Sequence, residues 1–327
     1  MSIRKIAAAT GLSVASVSRA LRDDQKVGAA TRKRVLVAAR QLGYSPNPYV
    51  GNMMSALRRG QTSTFRGNIA IVWKKAHSLR VEDRRFQQTL DGVRVRARER
   101  GYCLDEFDLS TNKPDALQRI LFNRGIQGVI AFTPAFAGTK VRLQMMLEKF
   151  ACVSLGWGLW VPHLDAVRVD YFQMLRLALH HAGHIFRGAI AAIWDLRTDR
   201  SAHNAGRASF VLHHPSGPAV ANELFLSWNE LTERALAKVV RKHVIRCLLL
   251  NSSVVPPAWL EKYVPAKNWV WFRDPGAVPH IGRIDPQNHL VGQWGVDLLA
   301  TKIQMGEIGI PQHCKKILVP PVWIPGK

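Results

Sequence analysis

Between Ser13 and Arg19 the chain reads Ser-Val-Ala-Ser-Val-Ser-Arg, a run of small and hydroxyl side chains that ends in a guanidinium. On a helix, Val17, Ala20 and Leu21 fall on one side, while Val14, Ala15, Ser16, Ser18 and Arg19 fall on or near the other. The outward set suits duplex DNA. Small residues let a helix approach base edges, Ser hydroxyls bond phosphate oxygens, and Arg pairs bidentately with guanine. Ser13 is a residue type that caps a helix start. Ahead of it, Ile6, Ala7 and Ala9 share one side of a first short helix, and Gly11 suits the tight turn between the two. This is a helix-turn-helix pattern, although an ordinary helical hairpin with a solvated polar face has the same spacing.

The surrounding charge favours the nucleic-acid reading. Up to Arg66 there are twelve Lys plus Arg against Asp23 and Asp24, a net of +10 out of +23 for all 327 residues. A third helix is expected from Thr31 to Leu42, with Val35, Ala38, Ala39 and Leu42 inward and Gly43 at its end. Three such helices can share one small core. Nearly half the chain is apolar, which allows two or three domains and a large buried core. The absence of a secretory apolar run at the front, or of about 20 consecutive apolar residues anywhere, points to the cytoplasm and away from a membrane. Cys103, Cys152, Cys247 and Cys314 lie far apart without paired spacing, so they read as reduced structural thiols and not as zinc ligands.

Thr10-Gly11-Leu12-Ser13, Val17-Ser18-Arg19-Ala20-Leu21, Thr31-Arg32, Val35, Ala38-Ala39, Leu42-Gly43-Tyr44 and Pro46-Asn47 follow one another over about fifty residues. In this the chain resembles the DNA-binding head of the LacI/GalR family of bacterial transcription repressors. The resemblance implies that Val14 and Ala15 open the recognition helix and face bases. It further implies that Arg19 reads or anchors them, and that Ser13, Ser16 and Ser18 touch phosphate. Residues 1–47 would then be the head, and 48–66 a hinge helix and linker. In the family a hinge helix presses an apolar side chain into the minor groove. Here Met53 and Leu57 are the two candidates for that wedge, and the longer linker leaves the choice between them open. A linker whose apolar residues pack on the body is the alternative.

From Gly67 onward short apolar runs alternate with helical stripes. Strands are expected at 68–73, 103–109, 128–132, 152–155, 166–169, 189–194, 246–250, 269–272 and 317–319, with helices near 115–123, 141–150, 171–182, 231–242 and 288–305. Such alternation makes an α/β fold with parallel sheets covered by helices, and the length suits two of them. Phe86...Leu90-Asp91-Gly92...Ala97...Gly101-Tyr102, Gly125-Ile126-Gln127-Gly128-Val129-Ile130, and Ala182-Gly183-His184 with Ile190-Ala191 resemble landmarks of the family's periplasmic-binding-protein-like core. That resemblance implies a two-lobed effector-binding and dimerisation core over 67–327. The first lobe would take about 67–160 and 286–312, the second 161–285 and 313–327. Three segments cross between them, and a small molecule sits in the cleft.

A sugar-type ligand wants an aromatic face and hydroxyl-binding polar groups. By the resemblance, Arg200 or His203 stands at the family's ligand-binding Arg, Asn251 at its Asn-Asp pair, and Asp274 at its later Asp. Ser252 replaces the Asp after Asn251, and Arg273 replaces the Gly before Asp274. Trp73 and Trp228 are the stacking candidates, with core packing as the alternative for each. His180, His181 and His184 include a metal-compatible spacing but no nearby carboxylate, so neither a metal nor a cofactor is expected. His213-His214 reads as a loop edge, and Arg94, Arg96, Arg98 and Arg100 as a solvated helix face or a further aid to DNA contact. No nucleophile elbow, phosphate-cradling loop or carboxylate pair suggests an enzyme. The expected function is a homodimeric repressor of carbohydrate-related genes that binds double-stranded operator DNA under control of a sugar-like effector. A regulator of the same fold without an effector is the second reading, and a soluble sugar-binding module a distant third.

Overall fold

Gly11 adopts a positive φ of 63°, a conformation that costs glycine little, and lets the chain reverse between α1 (Ile3–Thr10) and α2 (Val14–Leu21). With α3 (Ala29–Gln41) these helices close a core of Ile6, Ala7, Val17, Ala20, Val35 and Ala39. Burying a Val or Ile side chain contributes roughly 1.5–3 kcal/mol, so even this small set can hold a three-helix unit together. The computed structural model describes residues 3–21, 27–42, 65–73, 84–109, 114–132, 141–142, 147–158, 160–251, 256–273 and 275–326. The chain divides into two units, Met1–Gly60 and Gln61–Lys327. The expected hinge, with Met53 and Leu57, lies outside the described residues.

In the second unit, near-continuous apolar runs become strands buried on both faces. The first sheet contains β1 (Gly67–Trp73), β2 (Tyr102–Asp108), β3 (Ile126–Phe132), β5 (Ala151–Leu155), β7 (Asp165–Val169) and β13 (Lys316–Val319). Their spatial order is β13-β7-β5-β3-β1-β2, all parallel. Strand alternation divides its faces. Ile69, Ile71, Val153, Leu155 and Val167 pack with Leu90, Val93, Val291 and Leu299 of α4 (Arg84–Glu99) and α11 (Asn288–Met305). Ala70, Val72, Val129, Ala131 and Cys152 pack on the other face with Leu117 and Leu121 of α5 (Pro114–Asn123). Helices α4 and α11 approach closely because both carry glycine at the crossing. A Cβ on Gly292 would stand 2.1 Å from the Thr89 carbonyl oxygen, and one on Gly92 would stand 2.0 Å from that of His289.

The second sheet takes β8 (Ala189–Trp194), β9 (Phe225–Ser227), β10 (Ile245–Leu250), β11 (Trp269–Trp271), β12 (Gly282–Asp285) and β14 (Val322–Pro325). Its order is β14-β12-β11-β10-β8-β9, parallel except where β14 runs against β12. Around it lie α6 (Tyr171–Ile185), α7 (Leu196–Ser201), α8 (Ala205–His213), α9 (Gly217–Leu224) and α10 (Glu233–His243). The chain leaves the first sheet after β7, returns between β12 and α11, and leaves again between β13 and β14.

This α/β architecture with two mostly parallel sheets agrees with the expectation from sequence, but several details differ. Residues 165–169 and 316–319 belong to the first sheet, whereas the sequence division placed 161–169 and 313–319 in the second lobe. The pairing of β7 with β5 and β13, which no single segment reveals, decides this. The helix expected over 141–150 is not formed as such. Val141–Arg142 is β4, paired with β6 (Trp160–Val161), and Leu147–Lys149 is a 3-10 turn. Arg94 pairs with Glu106 and Asp91, Arg96 with Glu99 and Asp297, and Arg100 with Asp297, so most of that basic row is matched by acids. Among the described residues no helix is long and apolar enough to cross a membrane.

Candidate functional site

Two places in the chain concentrate the residues singled out by sequence. The first is α2. Ser13 caps it, its Oγ accepting the Ser16 backbone N–H at 3.1 Å and sharing a 2.9 Å hydrogen bond with the Ser16 hydroxyl. The preceding turn is closed by the Leu12 N–H donating to the Ala7 carbonyl at 3.1 Å. Val17 and Ala20 are locked in the head core. That leaves Val14 47% exposed at the helix start, with Ala15 and Arg19 also exposed and Ser16 and Ser18 half-buried. Arg34 of α3 donates to the Thr10 carbonyl at 2.8 Å and fixes the end of α1 against α3. A small-residue row ending in Arg therefore stands outward on a braced helix, the geometry that major-groove reading requires.

The second place is the carboxyl edge of the two sheets, where open α/β folds bind small molecules. On the first lobe, Trp73 ends β1 and meets Phe86 edge-on at 6.2 Å, while Phe86 stacks on Phe132, the last residue of β3, at 4.9 Å. On the second lobe, the Trp228 indole N–H donates to the Asn251 carbonyl at 2.8 Å, and the Trp228 backbone N–H to that of Trp194 at 3.1 Å. Trp228 and Asn251 are thus brought together just beyond β9 and β10. Trp157, which follows β5, donates its indole N–H to the Val169 carbonyl at 2.8 Å and carries the Arg168 guanidinium 4.7 Å from its ring centroid. The Trp157 ring stacks on Tyr171 at 6.0 Å and meets the His203 ring edge-on at 6.1 Å. Tyr171 in turn meets Trp194, the end of β8, at 6.2 Å. These contacts bring the carboxyl edge of one sheet against that of the other.

His203 stands in this cleft on left-handed backbone, φ 57°. Arg200, its sequence alternative, does not join it. Arg200 lies on α7 and lines a separate depression with Asn204 and Arg207. Asp274 is outside the described residues. Phe86, a landmark of the core, and Phe132, Trp157, Tyr171 and Asp199 were not named from sequence as site residues. The available signal was position, because each aromatic lies at a strand end or just beyond, or on the helix that follows one. Asp199 is buried, and accepts the Gly206 N–H at 2.9 Å and the Arg207 N–H at 3.3 Å. Burial pushes its carboxyl pKa up against the pull of those amides. The Trp194 indole N–H is buried with no hydrogen-bond partner.

His180 and His184 rings lie 4.5 Å apart, while His181 stacks on Trp323 at 4.4 Å. Among the described residues no group of three or more His, Cys, Asp or Glu is arranged to hold a metal ion. His214 stands at the loop edge expected, just after α8, and its side chain is buried. Its Nε2 bonds the Ile190 carbonyl at 2.9 Å and its Nδ1 accepts the Ser216 N–H at 3.2 Å. All four cysteines are free. Burial pushes the Cys152 thiol up to about 12 and the Cys247 thiol higher still, while Cys103 is exposed on the edge strand β2.

Residues 2–47 match the sequence model of the bacterial regulatory proteins of the lacI family. The chain is 26% identical over 210 residues to the HTH-type transcriptional regulator GalR of Lacticaseibacillus casei, covering 64% of this chain and 56% of that protein. It is 35% identical over 186 residues to the HTH-type transcriptional regulator PtxS of Pseudomonas plecoglossicida, covering 55% and 50%. The chain thus spans about half the length of the curated relatives it matches. Two solved structures share its fold over their whole length. The transcriptional regulator CelR in complex with cellobiose does so with a TM-score of 0.55 at 18% identity, covering 100% of this chain and 99% of that one. The lac repressor bound to ONPG in its repressed state gives 0.53 at 16%, covering 100% and 98%. The head, residues 2–47, thus matches the bacterial regulatory proteins of the lacI family by sequence, and the chain as a whole shares the fold of these two regulators.

Proposed function

We propose that this chain is a sequence-specific DNA-binding transcription regulator, a cytoplasmic homodimeric repressor of carbohydrate-related genes. The observation that carries the reading is the outward row of α2. Val14, Ala15 and Arg19 are exposed while Val17 and Ala20 of the same helix are buried in the head core. In a two-fold dimer, two such helices address half-sites about one helical turn apart. Ser13, Ser16 and Ser18 would position the helix on phosphate, and Met53 or Leu57 would enter the minor groove.

A small molecule in the inter-lobe cleft would control DNA binding by favouring one arrangement of the lobes over another. The aromatic edges formed by Trp73, Phe86, Phe132 and Trp157 on one side and Tyr171 and Trp228 on the other suit a ring-shaped ligand. His203, Asn251 and Asp274 would supply polar contacts. The cellobiose and ONPG complexes of the two structural neighbours support a sugar or sugar derivative. Ser252 and Arg273, which depart from the family pattern, favour a second reading in which the chain binds DNA with no effector.

Selection of bound duplexes from a random pool, followed by footprinting, tests the first claim. A palindromic site protected symmetrically is the expected result, and no enrichment overturns it. Titration calorimetry across sugars and phosphosugars separates the two readings. Heat, with an altered operator affinity, supports the cleft effector. Silence with intact operator binding supports the effector-free regulator.

A further inference from the structure

We propose that the second lobe carries an anion-binding site of its own, in an open surface depression lined by Arg200, Asn204, Arg207, Ala208 and Val211. All five residues come from α7, α8 and the turn joining them, and none comes from the first lobe, so the depression is distinct from the aromatic cleft. Asn204, Arg207, Ala208 and Val211 are spaced i, i+3, i+4 and i+7, which puts them in one row along α8. The opposite row, Gly206, Ser209 and Phe210, is buried, with the Ser209 hydroxyl donating to the Phe172 carbonyl at 2.7 Å.

The positive charge in this depression is only partly compensated, since Asp199 acts on Arg207 at a distance and nothing among the described residues pairs with the Arg200 side chain. Asp199 turns inward, and its carboxylate is spent on the Gly206 and Arg207 backbone N–H groups. Asp195 caps α7 through the Arg197 N–H at 2.9 Å and faces the Arg197 side chain. The Arg207 guanidinium is held by Asn222 Oδ1 at 3.1 Å, a neutral acceptor that fixes its position without cancelling its charge. The exposed Arg200 side chain has no hydrogen bond or ion pair among the described residues. Two guanidinium groups therefore border one opening, and Ala208 and Val211 add apolar surface beside them. Guanidinium forks match carboxylate and phosphate oxygens bidentately. The ligand this arrangement takes is a small carboxylate or phosphate ester on an apolar or ring-shaped body.

Its position also gives it a route to the cleft. Asp199 and His203 belong to the same α7–α8 segment as Arg200 and Asn204, and the His203 ring rests against Trp157 of the first lobe. An anion that orders this turn changes what the cleft presents.

Titration calorimetry on the full chain tests the site, with phenyl phosphate and benzoate as anionic probes, benzyl alcohol as the neutral match and inorganic phosphate as the bare anion. Both anionic probes should bind, benzyl alcohol should not, and inorganic phosphate should bind more weakly than phenyl phosphate. Arg200→Ala and Arg207→Ala should each raise the Kd about tenfold or more, the expected loss for a hydrogen bond to a charged group. Arg200→Glu, on an exposed side chain, should abolish binding while the far-UV spectrum and thermal midpoint stay as in the parent. The site is disproved by silence with both anions, by equal affinity for benzyl alcohol or inorganic phosphate, or by unchanged affinity in the Arg200 variants. The operator selection described above reads out DNA binding separately, so either proposal can fail alone.

Discussion

Trp157 stacks on Tyr171 with ring centroids 6.0 Å apart and planes inclined by 24°, and this pair joins the end of β5 in the first lobe to the start of α6 in the second. Trp157 is also pinned by its indole N–H to the Val169 carbonyl at 2.8 Å and is nearly fully buried. Trp157→Ala should lower the unfolding free energy by about 3–5 kcal/mol, the usual cost of emptying a large aromatic site. Trp157→Phe keeps a ring and loses the hydrogen bond, which should cost about 1 kcal/mol beyond the lost volume. Chemical denaturation measures both. Equal costs would show that the ring packing contributes little there.

Arg19 is exposed on the same helix as the buried Val17 and Ala20, so its removal should leave the head folded. If it reads a base edge, Arg19→Ala should weaken the selected operator by about 1–3 kcal/mol and random duplex far less. Fluorescence anisotropy at fixed salt separates the two. Equal weakening on both duplexes would reduce Arg19 to a phosphate contact, and unchanged binding on both would remove its role.

Lys302 of α11 and Asp165 at the head of β7 form an ion pair with both side chains buried. The other Asp165 oxygen accepts the Lys315 backbone N–H at 2.7 Å. Lys302→Met strands a buried carboxylate and should cost about 3–5 kcal/mol. Adding Asp165→Asn removes that charge yet still offers an oxygen to Lys315, so the double variant should recover part of the loss. A double-mutant cycle in denaturant measures this, and additive losses would mean that the two groups are not coupled.

His214 supplies a pH dependence. Burial lowers its pKa below the usual value near 6.5, more strongly than its Ile190 contact raises it. The native state holds the neutral ring, with Nδ1 accepting from the Ser216 N–H, a bond that protonation would break. Below pH 6.5 the unfolded chain takes up a proton that the native chain resists. The contribution of this group is therefore complete above that pH and is lost as pH falls through the native value. Thermal midpoints should drop on acidification below pH 6.5, and less steeply in His214→Gln. Parallel curves for the two proteins would assign the acid sensitivity elsewhere.

Whatever obeys local rules could be read from the residues alone. The spacing of Val17, Ala20, Val35 and Ala39 built the head, Gly11 and Ser13 set its turn and cap, and the apolar runs became strands largely where periodicity put them. The sequence also named Trp228 and Asn251, which the fold brings within one hydrogen bond. Tertiary structure decided what depends on partners distant along the chain. Residues 165–169 joined the first sheet because β5 and β13 flank them, and Val141–Arg142 became a strand because Trp160–Val161 pairs with it. His214 proved buried because Ile190, far back in the chain, accepts from it. Arg200 and His203, interchangeable as letters three apart, were separated because the turn between α7 and α8 aims one at a depression of its own lobe and the other at Trp157 across the cleft. Periodicity encodes which face of an element is apolar. It does not encode which other element will cover that face, because that choice is made by the collective burial of surfaces that meet only in the folded chain.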